Sequence, residues 1–208
     1  MSQFLSIPLS LSVVISAVTS ATVEIEETIS TSGNPNNGAG ALWCYGAPLI
    51  ARIGERVFVS AMEVGEGIPP LCNTRPRIFM RDEDGWRVIW NPDDFLEREP
   101  CPIVCFQNGT FMLSVNPLID VTESRRGACN PHLIKFSASN LKRPPKTTPL
   151  PPFLRGNTIQ PKWVEDTTFT EHSYRGVAAD GVRGEILLLN IDAKTGEQCW
   201  SFYDANGD

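Results

Sequence analysis

The chain has only two histidines in 208 residues, and its six cysteines supply no pair of close couplets of the kind that holds a structural zinc ion. A metal site is therefore not expected, and nothing in the sequence calls for a cofactor. No glycine-rich phosphate loop, helix-borne metal motif or nucleophile elbow occurs, so nucleotide-dependent and α/β-hydrolase chemistry have no anchor. Long amphipathic helical runs are missing, and only short pieces such as Asp93 to Arg98 fit a helical pattern. Cations are outnumbered, with 18 Lys and Arg against 24 Asp and Glu and a net charge of −6. That balance disfavours broad binding to nucleic acid or to an anionic membrane.

What the chain does have is turn punctuation, with 16 Gly and 17 Pro, as many short strands require. Three stretches repeat one design: a small or apolar run, a glycine turn, then an aliphatic strand. They open at Tyr45 (YGAPLIARIGERVFVSAMEV), Glu99 (EPCPIVCFQNGTFMLSVNPL) and His172 (HSYRGVAADGVRGEILLLNI). Each is followed by a further strand, at Arg77 (RIFMRDEDGW), His132 (HLIKFSASN) and Cys199 (CWSFYDANGD). Val57, Val59 and Ala61 alternate with Phe58, Ser60 and Met62, the period of a strand with one face more deeply buried. Recurring hairpins predict an all-β fold of repeated antiparallel blade units of a β-propeller, about three blades and truncated. Three units do not close a ring of roughly four to eight blades. An open β-sheet domain, or a ring shared between subunits, remains as an alternative. The predicted hairpins are Ala47–Ala51 with Val57–Met62, Pro102–Phe106 with Phe111–Val115, and Val177–Ala179 with Ile186–Leu189.

Phe4 to Ala21 is apolar, Ser-rich and uncharged, and ends in small residues, the pattern of a secretory signal over residues 1–22. Pro8 interrupts the run, and no Lys or Arg precedes it. Export to a secreted or periplasmic location follows, without stable membrane insertion, because the run is short and diluted by Ser and Thr. Residues 23–41 read as a linker. The partial propeller spans 42–208, with units of about 42–98, 99–141 and 165–208 and a proline-rich insertion at 142–164. Six cysteines fit an oxidising compartment, as small buried hydrophobes with one or two bridges. Cys101 and Cys105 have the wrong spacing for a two-residue redox motif and share one face of a strand.

The Asp/Asn-Gly turns leading into aromatic strands resemble sialidase-like propellers of the bacterial neuraminidase repeat type, over about Leu42 to Asp208. Asp82-Glu83-Asp84-Gly85-Trp86 supplies the Asp, Gly and Trp of that family's Ser-x-Asp-x-Gly-x-Thr-Trp box, at shifted spacing and without the Thr. The resemblance implies a propeller fold and a secreted glycosidase or polysaccharide lyase. It also implies arginines holding a sugar carboxylate, with acid and base groups beside them.

Thr170-Glu171-His172-Ser173-Tyr174-Arg175 is the densest reactive cluster. Alternation puts His172 and Tyr174 on one face and Glu171, Ser173 and Arg175 on the other. His172, Tyr174 and Glu171 are the candidate catalytic residues, since His titrates near neutrality and Tyr can return a proton. Arg175 is the candidate holder of a carboxylate, by bidentate hydrogen bonding. Arg75 and Arg77, in the loop after Glu63 to Pro70, and Arg125 and Arg126 in the matching loop of unit two, are further candidate substrate-binding residues. Hydrogen bonds between blades, and ion pairs with Asp82, Glu83 or Asp84, would equally account for these clusters. Trp43, Tyr45, Trp86, Trp90, Trp163 and Trp200 offer rings for sugar stacking, most of them as core residues. The pairs Glu97/Glu99 and Asp93/Asp94 read as solvated loop residues. The expected partner is an acidic glycan or polysaccharide. A non-catalytic propeller that binds glycan or protein with the same face is the alternative, and the oligomeric state is open.

Overall fold

The structure, a computed structural model, describes residues 22–31, 47–64, 74–92, 97, 99–116, 132–141, 158–159, 175–191 and 198–203. Among these residues every regular element is a strand: β1 (Ile50–Ile53), β2 (Arg56–Val64), β3 (Thr74–Asp82), β4 (Gly85–Trp90), β5 (Ile103–Cys105), β6 (Thr110–Val115), β7 (His132–Ser137), β8 (Thr158–Ile159), β9 (Arg175–Asp180), β10 (Glu185–Ile191) and β11 (Gln198–Tyr203). They form three sheets, ordered β1-β2-β3-β4, β5-β6-β7-β8 and β9-β10-β11, with every pairing antiparallel. The all-β expectation holds, and the sheets are consecutive meanders.

The three predicted hairpins form, the first with its opening strand at Ile50–Ile53 instead of Ala47–Ala51, each closed by the turn chemistry its residues supply. Ile53 pairs with Arg56 across Gly54-Glu55, with Gly54 at φ +59°. Cys105 pairs with Phe111, and the Gly109 amide donates to the Phe106 carbonyl at 3.1 Å. Gly109 sits at φ +82°, a left-handed position that costs glycine little and a side chain more. Asn108 Oδ1 stiffens the turn by accepting from the Thr110 amide at 3.0 Å. Glu185 pairs with Asp180, whose Oδ1 accepts the Val182 and Arg183 amides at 2.9 and 3.0 Å.

The first strands of the sheets lie side by side, β1 against β5 and β5 against β9. The Ile103 amide donates to the Pro48 carbonyl at 2.8 Å, and the Cys105 thiol donates to the Arg52 carbonyl at 3.1 Å. β1 and β5 therefore run the same way. The Gln107 amide donates to the Gly181 carbonyl at 2.9 Å, which brings the turn end of β5 to that of β9.

Two apolar layers separate the three sheets. Between the first and second lie Phe58, Ile78, Met80, Trp90, Ile103, Phe111, Leu113 and Val115. Phe58 and Phe111 stand 4.4 Å apart by ring centroids, and Phe111 stacks on Phe136 at 4.9 Å. Aromatic pairs of this kind add about 0.5–1.5 kcal/mol beyond area burial. Between the second and third lie Val104, Phe106, Met112, Leu133, Val177, Ile186 and Leu188. The second sheet is thus covered on both faces, which is why its central strand reads as the unbroken run FMLSV, buried throughout.

Several expectations are revised by these positions. Arg75 and Arg77 lie within β3, which begins at Thr74, so they belong to a strand and not to a loop. Glu97 and Glu99 are buried, at 3% and 2% exposure, and are not solvated. At Glu97 the Asn116 amide, donating to the carboxylate, takes the place of water. The stretch 142–164, expected as an insertion, contributes Thr158–Ile159 as the fourth strand of the second sheet. The described cysteines Cys101 and Cys105 carry thiols rather than a disulfide, and both face the layer between the first two sheets. Trp90 is the core tryptophan among those described, at 1% exposure, whereas Trp200 is 52% exposed.

Candidate functional site

The parallel run of β1, β5 and β9 gives the assembly two distinct ends. The turns Gly54-Glu55, Gln107–Gly109 and Gly181–Gly184 gather at one. The starts of β1, β5 and β9 lie at the other, together with the starts of β3 and β7, because each meander reverses direction at every strand.

Arg175 opens β9, the first strand of the third sheet, and pairs with Asn190. Arg75 and Arg77 lie near the start of β3, two strands away from β1, opposite Glu63 and Ala61. The fold therefore places Arg75, Arg77 and Arg175 at the same end but in different sheets. Arg75 Nε is buried and has no hydrogen-bond partner among the described residues. Glu171, His172, Tyr174, Arg125 and Arg126 lie outside the described residues. Asp82, an expected partner of the β3 arginines, instead meets Arg87 at 3.5 Å and accepts the Asp84 amide at 3.1 Å, within its own turn.

A cleft of about 420 Å³ opens at the turn end, lined by Arg52, Ile53, Gly54, Cys105, Phe106, Gln107, Gly181 and Val182. Gly181 permits this convergence, since a Cβ there would stand 3.0 Å from the Cys105 carbonyl oxygen. The Arg52 side chain is 65% exposed and hydrogen-bonds the Gly54 carbonyl at 2.8 Å, which sets one cation beside the opening. Asp180, near the same end, has its carboxyl held below the ordinary range by the Arg183 and Val182 amides, with a smaller contribution from the Arg183 charge.

Two polar arrangements have no counterpart in the sequence reasoning. Glu97, buried, accepts a hydrogen bond from the Asn116 amide just beyond β6, and so ties the approach to β5 onto that strand. Glu27, in the segment 22–31, accepts from Arg81 Nε at 2.7 Å and Nη2 at 2.9 Å, and from Trp86 Nε1 at 2.8 Å. Those bonds, chiefly that from Arg81, hold the Glu27 carboxyl below its ordinary value. A run of alternating Glu and aliphatic residues, VEIEETI, was the only local signal for a strand-like segment there.

Among the described residues no group of three or more His, Cys, Asp and Glu is placed to hold a metal ion. No helix among them is long and apolar enough to cross a membrane. No protein-family model matches the chain. A search of curated proteins finds no match either.

Proposed function

We propose that the three sheets are consecutive blades of a β-propeller, and that the module binds acidic glycans at the end where β9 and β3 begin. The observation that carries this reading is the side-by-side run of β1, β5 and β9. In a propeller the first strands line the axis, so Arg175 at the start of β9 enters next to that axis. A guanidinium there offers the paired donors that a uronate or sialate carboxylate accepts. Arg75 and Arg77 sit further out at the same end and suit the more distant groups of an extended chain. The buried Nε of Arg75, which has no hydrogen-bond partner among the described residues, supports a ligand role for that side chain. Glu171, His172 and Tyr174 immediately precede Arg175 in sequence, so the proposal extends to acid–base cleavage of the bound glycan by hydrolase or lyase chemistry. Export, indicated by the N-terminal apolar run, would bring the protein to such substrates.

The test is product release and calorimetric binding with panels of sialylated and uronate-containing glycans. Binding that falls roughly tenfold or more in Arg175→Ala supports the reading. Catalysis that falls by orders of magnitude in His172→Ala and Tyr174→Phe supports the enzymatic extension. Binding without turnover leaves a recognition module. Neither binding nor turnover across both panels rejects the proposal.

A further inference from the structure

The outer face of the third sheet is built like a buried one. Leu187 pairs with Phe202 and Leu189 with Trp200, and the four are 46%, 50%, 40% and 52% exposed. On the second sheet the corresponding face, with Val104, Met112 and Leu133, is covered by the third sheet and is at most 8% exposed. A contiguous apolar face of this kind marks an interaction surface. The third sheet is also narrower: three described strands against four in each of the others, which leaves β11 at its edge. An edge strand presents unpaired amides and carbonyls to any further strand.

The same chain carries matching parts at the opposite side. The outer face of the first sheet exposes Ile50 at 65% and Val88 at 39% on its edge strands, while Val59 and Phe79 between them are buried. Arg81 and Trp86 lie on that face too, opposite Val57 and each other, and they hold Glu27. The segment 22–31 has no regular secondary structure and pairs with no strand among the described residues. Its Val23 and Ile25 are 78% and 67% exposed.

We propose that a second copy of this chain covers both faces. The first sheet of each copy stacks on the third sheet of the other, and residues 22–31 of each add to β11 of the other as a fourth strand. The contact joins two different surfaces, and a twofold rotation closes it into a ring of six sheets, within the range of roughly four to eight that propellers use. Glu27, clamped by Arg81 and Trp86, fixes the segment on the face that the partner meets. The inference rests on the propeller arrangement proposed above and not on its glycan specificity.

Size-exclusion chromatography with light scattering on the full chain at micromolar concentration tests it. The expected mass is twice the 22.9 kDa of one chain. Leu189→Glu and Ile25→Glu should each weaken self-association roughly tenfold or more, with an unchanged far-ultraviolet circular dichroism spectrum. Ile25 lies outside every sheet, so its variant keeps the test valid even if Leu189→Glu disturbs folding. A synthetic peptide of residues 22–31 in excess should convert the dimer to single chains. A single-chain mass, or a dimer indifferent to both variants and to the peptide, overturns the proposal. A single chain that still binds acidic glycan overturns it while leaving the functional reading intact.

Discussion

Glu27 and Arg81, 54 residues apart in sequence, form a two-point contact: Nε and Nη2 of the guanidinium donate to the two carboxylate oxygens at 2.7 and 2.9 Å. Trp86 Nε1 adds a third donor at 2.8 Å. Geometry of this kind is directional and joins the segment 22–31 to the first sheet.

The contact makes that attachment pH-dependent. The Glu27 carboxyl is held below its ordinary 4.5 by the Arg81 and Trp86 bonds, with the Arg81 charge a smaller cause. A lowered folded value means that the stabilisation is complete above the unfolded value and is lost as pH falls through the folded one. Trp86 fluorescence should therefore change at a pH below 4.5. The change should be absent from Glu27→Gln, whose side chain does not ionise. An identical acid transition in that variant contradicts the assignment.

Gly181 marks a tight approach between the second and third sheets. A Cβ at this position would meet the Cys105 carbonyl oxygen at 3.0 Å, backbone that moves only with its sheet. Gly181→Ala should cost about 1–3 kcal/mol in denaturant unfolding. Gly176→Ala is the control, because its Cβ would meet Leu189 Cβ at an ordinary 3.8 Å. It should stay within about 0.5 kcal/mol of the parent. Equal effects at the two positions would show that the close approach has no energetic weight.

Phe111 contacts both Phe58 and Phe136 and is fully buried. Phe111→Ala should lower stability by about 3–5 kcal/mol, which exposes how far the first two sheets depend on one ring. Val182→Ala, at a position 73% exposed, should change it by no more than about 0.5 kcal/mol. Chemical denaturation with matched slopes compares the two.

Glu97 reads differently through its two simplest variants. Glu97→Ala removes the acceptor of the buried Asn116 amide and should cost about 1–3 kcal/mol. Glu97→Gln keeps a carbonyl acceptor and should cost less. Equal losses in the two variants would mean that the charge rather than the hydrogen bond matters there.

The hairpins were legible because local chemistry wrote them. Gly54, Gly109 and Gly184 occupy left-handed turn positions, and aliphatic strands flank each turn. What misled was proline and charge. Pro76 makes TRPRI read as loop, yet β4 pairs with β3 only from Ile78 onward. At Pro76 that strand is an edge, where a missing amide hydrogen is tolerated. Glu97 and Glu99 sit in a charged, proline-bearing stretch that reads as surface. Their burial depends on partners such as Asn116, which no local pattern announces. The Glu27–Arg81 contact is likewise invisible to any window of sequence. Of the proposed site, the position of Arg175 at a strand start was readable from the alternation of the third hairpin. The distance of Arg75 and Arg77 from the first strands was not, because strand order across a sheet is a long-range property.

The meander order has a consequence for how the protein is made. Among the described residues no strand waits for a partner encoded far downstream: β1 to β4 pair within residues 50–90, before any of β5 has been translated. Domains of this connectivity can form during synthesis, at roughly 5–20 residues per second. The nascent first sheet then exposes Phe58, Ile78 and Trp90 until Phe111 leaves the ribosome to cover them. Each later sheet repeats that interval of exposure for the one before it. The order of translation is thereby the order of burial, and a pause in elongation between β4 and β6 would prolong the most aggregation-prone moment of the chain's life.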